Sequence, residues 1–446
     1  MSALETARDH YLARFEAFRS SLGAEPGWLS GLRAAALASF GESGFPHTRL
    51  EEWRYTNLAA LAKVPFELAS APTAVVSREQ LESLAFPLFA CSLHVFVNGR
   101  FAPEFSAPLP APGTSPLQSL AALRAQAPEQ LELHLARCAA LKEHPFAALN
   151  TAFLDDGAFV YAPRSVRVEQ PIHVVFLSAD SGQPAVTHPR LLVVAEEGSS
   201  LTLIEDHVTL GDAPGFTNAV TEVYAAAGSQ VDLVTIQREH EGHFHLSNLF
   251  VRQERDARFS ANTLTLGGRL VRNDASVLLA DEGADCALNG LFIAGGSQLV
   301  DNHTTIDHAV PHCTSRELYK GVIGGSARGV FRGRVIVRPD AQKTNASQSN
   351  PNLLLSADAE MNTKPQLEIY ADDVKCSHGT SIGQLDPDAL FYLRSRGLDA
   401  ARARDLLTRA FALELLEALP VPGLGAGLDD VVLEQLRRAR RSGEAT

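Results

Sequence analysis

Cys376-Ser377-His378 is the triplet in this chain whose residue types could most directly bind iron. It follows the run LEIYA at 367–371, whose composition is typical of a β-strand. If the strand continues through residue 378, the side chains of Cys376 and His378 point to the same face, roughly 6–7 Å apart along it. A thiolate beside an imidazole suits iron or an iron–sulfur cluster. The spacing alone leaves open that these are two unrelated, partly buried residues.

A second group of candidate ligands lies in the run DNHTTIDHAVPHC at 301–313. It contains His303, His308, His312 and Cys313, and Pro311 indicates a bend. Because histidines also make hydrogen bonds in turns, we expect structural roles here and not metal binding.

Three further histidines, His240, His243 and His245, crowd together beside Glu239 and Glu241. Only His243 and His245 have the same strand parity. Since the neighbouring residues are acidic, the pattern predicts a solvated surface loop and not a ligand set.

The overall composition argues against several functions. With a net charge of −13 and a pI of about 5.6, the chain lacks the basic surface of a nucleic-acid binder and would be repelled by an anionic membrane. The N-terminus has no signal-peptide pattern, and no run of about 18 apolar residues occurs. We therefore expect a cytoplasmic protein. Its five cysteines are far apart, which indicates reduced thiols: Cys91, Cys138, Cys286, Cys313 and Cys376.

Sequence motifs of common enzymes are missing. The chain has no G-x-x-x-x-G-K-[ST], G-x-S-x-G or H-E-x-x-H motif and no dinucleotide-binding fingerprint. We therefore expect no ATPase activity of its own, no catalytic residues and no permanently bound cofactor.

The first of three segments, residues 1–160, is predicted to be mainly helical with one small β-hairpin. Apolar residues fall on one helical face at 4–22 and again at 129–142. Cys138 lies on the apolar face of the second stretch, so we expect it in the core. Between the two stretches, Asn98-Gly99 follows an apolar run and predicts a tight hairpin turn.

The second segment, residues 161–385, replaces helical periodicity with short alternating apolar runs typical of strands. Gly-Ser pairs recur near every 30 residues, with one interval about double: Gly198-Ser199, Gly228-Ser229, Gly296-Ser297 and Gly325-Ser326. Such a repeat predicts a right-handed parallel β-helix, in which stacked rungs turn at glycine corners and bury one continuous core. A large β-sandwich also has short strands and glycine turns, but regularly spaced hairpin signals are missing.

The third segment, residues 386–446, is predicted to be helical. Asp386-Pro387 suits the start of a short helix that Gly397 ends. A longer helix is predicted from Asp399 to Pro420. A Gly-rich linker then precedes a last helix at 429–441.

Four long stretches resemble the SufB/SufD family of the SUF iron–sulfur cluster assembly system, along nearly the whole chain. They are TRLEEWRYTNL at 48–58, HPFAALNTAFLDDGAF at 144–159, DNHTTIDHAVPHCTSRELYKGVIGGSARGVFRGRVIV at 301–337 and PDAQKTNASQSNPNLLLSADAEMNTKPQLEIYADDVKCSHGTSIGQLDPDALFYLRSRG at 339–397. In the SufB branch a C-G-A-H-T stretch carries the sulfur-accepting cysteine. Here the matching residues, AEMNT at 359–363, hold neither cysteine nor histidine. The resemblance is therefore to the SufD branch, and this chain is not expected to accept sulfur there.

The resemblance implies a non-catalytic scaffold subunit of mainly β fold, with helical domains on both sides of a β-helix. Such a subunit pairs with SufB through the β-helices and binds the SufC ATPase through its C-terminal helices. A transient iron–sulfur cluster forms near the SufB–SufD interface. The cluster-site histidine of the SufD branch corresponds to His378, with Cys376 beside it as a second ligand or as a packed thiol.

The segment at 390–397 lies where the family meets its ATPase. Phe391, Tyr392, Arg394 and Arg396 are the expected contact residues, because aromatic and arginine side chains often dominate interface energetics. Ordinary packing of this helix on the end of the solenoid is the alternative.

Two other functions stay open from the sequence. One is a β-helix enzyme acting on polysaccharides, which needs carboxylates along an exposed groove. The other is a purely architectural subunit without metal contact. The sequence also leaves open the cluster type, the binding of a reduced flavin, and whether the isolated chain forms a homodimer.

Overall fold

The centre of the protein is a two-sided parallel β-solenoid with helices before and after it. The computed structural model describes residues 2–23, 25–70, 76–84, 90–108 and 116–444. The strands are β1 Glu67–Leu68, β2 Ser92–Val97, β3 Arg100–Phe101, β4 Leu117–Ser119, β5 Ala158–Ala162, β6 Ile172–Ala179, β7 Ala185–Thr187, β8 Arg190–Ala195, β9 Ser200–Leu210, β10 Gly215–Ala225, β11 Gln230–Arg238, β12 Phe244–Gln253, β13 Arg258–Thr265, β14 Leu270–Leu279, β15 Asp285–Ala294, β16 Leu299–His308, β17 Thr314–Ile323, β18 Arg328–Val337, β19 Asn345–Leu354, β20 Glu360–Ile369 and β21 Lys375–Gly383. The helices are α1 Ala3–Ser21, α2 Gly27–Ser43, α3 Ala59–Ala62, α4 Arg78–Leu84, α5 Leu120–Gln126, α6 Pro128–His134, α7 Pro145–Ala152, α8 Pro387–Ser395, α9 Ala400–Glu417 and α10 Leu424–Glu444.

The solenoid strands form two sheets. Sheet A runs in the order β20-β18-β16-β14-β12-β10-β8-β5-β4, and β7 also pairs with β10 and carries β1 on its other side. Sheet B runs in the order β21-β19-β17-β15-β13-β11-β9-β6-β2-β3. From β8 onward, successive strands along the chain alternate between the sheets. Neighbours within each sheet are parallel except at β2–β3 and β4–β5. The predicted parallel β-solenoid is confirmed, and a sandwich of antiparallel sheets is excluded.

The corners between strands explain the repeat in the sequence. Gly198 and Gly228 lead from sheet A to sheet B, whereas Gly296 and Gly325 lead from sheet B to sheet A, and all four have positive φ. The doubled interval therefore joins opposite edges of the solenoid. Other corners of the first kind also have positive φ but lack the Gly-Ser signal: Asp256, Gly283, His312 and Lys343.

The two ends of the solenoid differ. At the N-terminal end, the antiparallel strands β3 and β4 complete the sheets. The predicted hairpin is confirmed, with positive φ at Asn98 and Gly99. At the C-terminal end, within the part of the chain that the structure describes, β20 pairs only with β18 and β21 only with β19. This end therefore presents open strand edges.

The N-terminal helices cover the outer face of sheet A. Aromatic residues of α1, α2 and α7 pack with Phe216 and Phe244 of the sheet. The stretch predicted as one helix at 129–142 is shorter: α6 ends at His134, and positive φ at Ala136 turns the chain. Cys138, predicted in the core on a helical face, lies after this turn and is half-buried, with its Sγ 3.7 Å from the carbonyl oxygen of Val223. Burial raises the pKa of this thiol to about 12.

The C-terminal helices α9 and α10 cover the outer face of sheet B. Ala412, Leu416, Leu428 and Leu436 are among the residues that pack on its apolar strands. The last helix is longer than predicted and includes Gly425 and Gly427, which were expected to form a Gly-rich linker. Gly425 allows this because a Cβ there would lie 2.3 Å from the carbonyl oxygen of Leu416.

Candidate functional site

Strand β21 holds Cys376 and His378 at the open end of the solenoid, as the strand pattern predicts. Their in-register neighbours on β19 are Ala346 and Gln348, which are buried, so both side chains lie on the inward side of the last rung. Cys376 is half-buried and packs against the small apolar cluster that contains Val335 and Ala346. His378 is exposed.

The Cys376 thiol differs from a ready metal ligand. Burial raises its pKa, and a backbone hydrogen bond at Ala346 opposes this only in part. The thiol is therefore protonated in the isolated chain, and a metal would have to displace that proton. His378 has no such packing and is open to a partner or a ligand.

Behind His378, a polar column enters the solenoid. His378 is in register with Gln348, and Gln348 with Glu317. Nε2 of Gln348 donates a hydrogen bond to Oε2 of Glu317 at 2.5 Å. Burial raises the pKa of Glu317 to about 7. A Cβ at Gly333, on the opposite sheet, would lie 1.9 Å from Nε2 of Gln348, so this glycine leaves room for the crossing side chain.

Apolar residues surround the open edges. Ile369 and Tyr370 at the end of β20, and Ile382 on β21, are exposed. An open edge with exposed apolar side chains is a template for pairing with another chain. This end of the solenoid is therefore the most evident interaction surface of the fold.

The residues predicted to contact a partner lie on and just after α8. Phe391 and Tyr392 are 73% and 56% exposed, and Arg394 and Arg396 are also exposed. The guanidinium of Arg396 lies 5.2 Å from the ring centroid of Tyr392. These four side chains are therefore available on the surface, and no residue of α8 is fully buried.

The prediction of a surface loop for the histidines near 240 is wrong for two of them. His243 and His245 are buried, and only His240 is exposed. Nδ1 of His245 is 2.8 Å from Oε2 of Glu239, and Thr217 lies 3.0 Å from Nε2 of His243. The corner between β11 and β12 turns these side chains into the solenoid, so the acidic neighbour pairs with them instead of facing water.

The residues at 301–313 have structural roles, as predicted, but mostly within strands. Nε2 of His308 is 2.9 Å from the hydroxyl of Ser315 inside the solenoid. His303 is 2.9 Å from Oδ1 of Asp301. His312 occupies a corner, and Cys313 is buried.

The stretch at 48–58 is held on the outer face of sheet A. The guanidinium of Arg272 lies 3.8 Å from the Trp53 ring centroid, and Thr56 donates a hydrogen bond to Asp301 at 2.5 Å. A groove of about 670 Å³ separates part of this stretch from the sheet. Arg332 on its wall pairs with Glu52 at 3.2 Å.

Sequence reasoning missed several buried polar residues: Glu205, His207, Thr217 and Glu317. The signal was present in strand parity, because Glu205 and His207 continue the inward series of Leu201 and Leu203.

Among the residues that the structure describes, no three His, Cys, Asp or Glu side chains form a group that could hold a metal ion. Within the same ranges, no helix is long and apolar enough to cross a membrane.

Two family models for known proteins match this chain, and together they span most of its length. The family described as "SUF system FeS cluster assembly, SufBD core domain" matches residues 176–411, and the "SufBD protein N-terminal region" matches residues 5–174. An iron–sulfur cluster assembly SufBD family protein of Synechocystis is 36% identical over 418 residues, which are 92% of each chain. The SufD protein of Escherichia coli is 32% identical over 86% of this chain and 87% of its own. SufD of Bacillus subtilis is 26% identical over 93% and 95%. The chain therefore belongs to the SufBD family of iron–sulfur cluster assembly proteins.

Proposed function

We propose that this chain is a non-catalytic scaffold subunit of the SUF assembly complex. It pairs with SufB at the open end of the solenoid, binds the SufC ATPase through the surface around α8, and contributes His378 to a transient iron–sulfur cluster. The cluster is the product under assembly and not a resident cofactor. A cytoplasmic location is part of the proposal and rests on the resemblance to the SufD branch.

The position of His378 carries the proposal. It is exposed on the terminal strand, next to the open edges of β20 and β21. With Cys376, this strand offers at most two ligands, and no group of three lies in the described ranges. An iron–sulfur cluster is usually held by four protein ligands, so a partner chain would supply the ligands that this strand lacks. A site at an interface follows from this shortage.

Pairing through the solenoid end has a physical basis in the open edges. The backbone N–H and C=O groups on the free sides of β20 and β21 can continue each sheet into a second chain. The exposed side chains of Ile369 and Ile382 would lose water in such a contact. Family membership favours this assembly role over a polysaccharide-active enzyme.

The decisive experiment is anaerobic co-expression of the full-length chain with SufB and SufC, followed by iron and sulfide analysis. We expect His378→Ala to keep the subunit stoichiometry and lower the iron content severalfold. Cys376→Ala tests whether Cys376 is a ligand or a packed thiol. If the thiol only packs, the variant complex should keep the parental iron content and have slightly lower thermal stability. His240→Ala, at an exposed histidine far from β21 in sequence, is the matched control.

Two outcomes would contradict parts of the proposal. Parental iron in the His378→Ala complex would reject the ligand role and leave a purely architectural subunit. Loss of SufB from the complex would show that His378 acts through the interface and not through metal. Reconstitution with reduced flavin in the same preparation tests whether that cofactor binds, which neither geometry nor sequence assigns.

A further inference from the structure

The inward side of the solenoid has an apolar half and a polar half. Near the corners that lead from sheet A to sheet B, the inward residues are apolar and form the main core. Near the opposite corners, the inward residues of β9 to β12 include acids, imidazoles and hydroxyls. The buried members are Glu205, His207, Thr217, Thr221, Gln237, Glu239, His243 and His245, called the acid–imidazole cluster below.

The two ends of the cluster are linked through two histidine rings. The Thr221 hydroxyl donates to Glu205 at 3.0 Å, and Oε1 of Glu205 is 3.0 Å from Nε2 of His207. The rings of His207 and His245 meet edge to face, with centroids 4.9 Å apart. His245 then contacts Glu239 at 2.8 Å. Because Thr221 and Glu205 belong to opposite sheets, the cluster crosses the solenoid interior.

Burial and neighbouring charges have opposing effects on the pKa values in this cluster, and burial prevails at His243, whose pKa is lowered. Burial alone would lower the pKa of His207, but the hydrogen bond and charge of Glu205 raise it above its usual value. Burial alone would raise the pKa of Glu239, but His243 and His245 hold it below its usual range. Buried charges of this kind are costly unless their remaining hydrogen-bonding atoms are satisfied. Nδ1 of His207 and Nε2 of His245 are buried without a protein partner among the described residues.

Next to the cluster, four inward residues are half-buried instead of buried: Thr235, Ser247, Leu249 and Thr263. Each lies between two strand neighbours that face outward and are themselves buried, and these neighbours are Val234, Ile236, Leu246, Asn248, Phe250, Asn262 and Leu264. Helices and loops cover those neighbours on the outside. Because these neighbours are buried, the partial exposure of the four residues points to a space inside the solenoid and not to the outer surface.

The lining of this space is polar. Thr235, Ser247 and Thr263 contribute hydroxyls, and Ser247 donates to Oδ1 of Asn273 at 2.8 Å. Nδ2 of Asn273 reaches the Thr265 hydroxyl of the opposite sheet at 3.1 Å. The space also adjoins the cluster, because Thr235 is in register with Glu205 and Leu249 with Thr221. A cavity holds water when it is large enough and offers two to four polar partners. The hydroxyls of Thr235, Ser247 and Thr263 are such partners.

We propose that the solenoid interior contains a water-binding cavity between Thr235, Ser247, Leu249 and Thr263, which adjoins the acid–imidazole cluster and hydrates it. The bound water hydrogen-bonds the threonine hydroxyls and lies against the Glu205–Thr221 pair. The cluster is thus a hydrated ion network and not a dry one. This inference does not depend on the proposed role in cluster assembly.

A crystal structure of the full-length chain, with and without xenon pressure, tests the cavity directly. We expect ordered water within hydrogen-bond distance of the Thr235 and Thr263 hydroxyls and no xenon at this place. Xenon without water would overturn the proposal, because dry apolar cavities bind xenon. A cavity that contained neither water nor xenon would also overturn the proposal.

Oxygen-17 relaxation dispersion of the solvent tests the same water in solution. Thr235→Val with Thr263→Val keeps the side-chain shapes but removes both hydroxyls. We expect the amplitude from long-lived internal water to fall by at least one molecule. Thr202→Val, on the outward side of β9, is the control and should change nothing. An unchanged amplitude in the double variant would contradict the proposal. If that variant does not fold, the parental crystals still decide.

Discussion

The carboxyl group of Glu317 and the imidazole of His378 occupy one column of the solenoid, with Gln348 between them. The terminal residue is exposed, whereas Glu317 lies two rungs further in and is buried. The residues directly inside the candidate site at the solenoid end are therefore polar. Elsewhere between the two sheets, most of the interior residues are apolar. This difference has consequences for stability as well as for binding.

Glu317 should make the protein less stable as the pH rises from about 4.5 to 7. Its folded pKa, about 7, lies above the ordinary value of 4.5, because burial disfavours the carboxylate. Over this range the folded state holds a proton that the unfolded state has released, so the free energy of unfolding falls by roughly 3 kcal/mol. Glu317→Gln should remove this loss, and thermal melting at pH 4.5, 6 and 7.5 measures it.

The control for this series is Glu360→Gln on the exposed part of β20. It should keep the parental pH profile. If the melting temperature of Glu317→Gln changed with pH in parallel with that of the parent, Glu317 would be ionised in the folded protein throughout this range.

Glu239→Gln should destabilise the protein by about 3–5 kcal/mol at pH 7, since it breaks a buried charged network. Glu239 accepts hydrogen bonds from Thr217 and Gln237 and pairs with His245, and an amide cannot accept at all these positions. Its folded pKa is lowered, so its contribution is present above pH 4.5 and is lost as the pH falls further. Denaturant unfolding should therefore show a smaller difference from the parent at pH 4 than at pH 7.

Glu241→Gln is the matched substitution two residues away, on the exposed corner. It should change stability by no more than about 0.5 kcal/mol. Equal effects at Glu239 and Glu241 would contradict the buried network.

Gly324→Ala should loosen the contact between α10 and sheet B. A Cβ at Gly324 would lie 2.1 Å from the carbonyl oxygen of Ala439, which is backbone and cannot rotate away. We expect a loss of about 1–3 kcal/mol, the usual cost of overpacking. Gly379→Ala on β21, where a Cβ meets nothing within 4 Å, should be near neutral in the same thermal melts. A neutral Gly324→Ala would mean that α10 does not dock closely in solution.

Most of the architecture could be predicted from the sequence, whereas the solenoid interior could not. Gly198 and Gly228 marked corners because glycine adopts positive φ readily, but Asp256 and Lys343 take the same conformation without a glycine signal. His243 and His245 read as surface residues because acidic neighbours usually indicate solvent. The pairing of β12 with β10 and β14 shows that His245 points into the solenoid, and the contact of His243 with Glu239 places its ring there as well.

The placement of Cys376 and His378 on one face of a strand was predicted from the sequence, whereas their surroundings were not. Cys376 and His378 needed only the two-residue period of a strand to share a face, and the structure gives them that strand. The column behind them depends on the register between β17, β19 and β21, which no local pattern specifies. The exposure of His378 likewise depends on where the last rung ends.

Phe391→Ser with Tyr392→Ser should strongly weaken capture of the SufC ATPase if the proposed contact surface is correct. Each exposed aromatic would be an anchor worth about 2 kcal/mol, so the pair should weaken binding at least about 100-fold. Removing residues 386–446 altogether is a poorer test, because α9 and α10 cover apolar residues of sheet B such as Val322 and Ile236. That truncation should aggregate, whereas the double variant should keep the parental melting temperature.

The control for the docking test is Leu406→Ser, an exposed apolar residue on α9. Titration of the purified ATPase against the parent, the double variant and this control, by calorimetry, gives the three affinities. Parental affinity in the double variant would exclude Phe391 and Tyr392 from the contact. Equal weakening in the control would indicate a broad apolar effect in place of a defined contact at α8. Weakening confined to the double variant, with an unchanged melting temperature, is the result expected, since both rings are exposed and their removal leaves no cavity in the core.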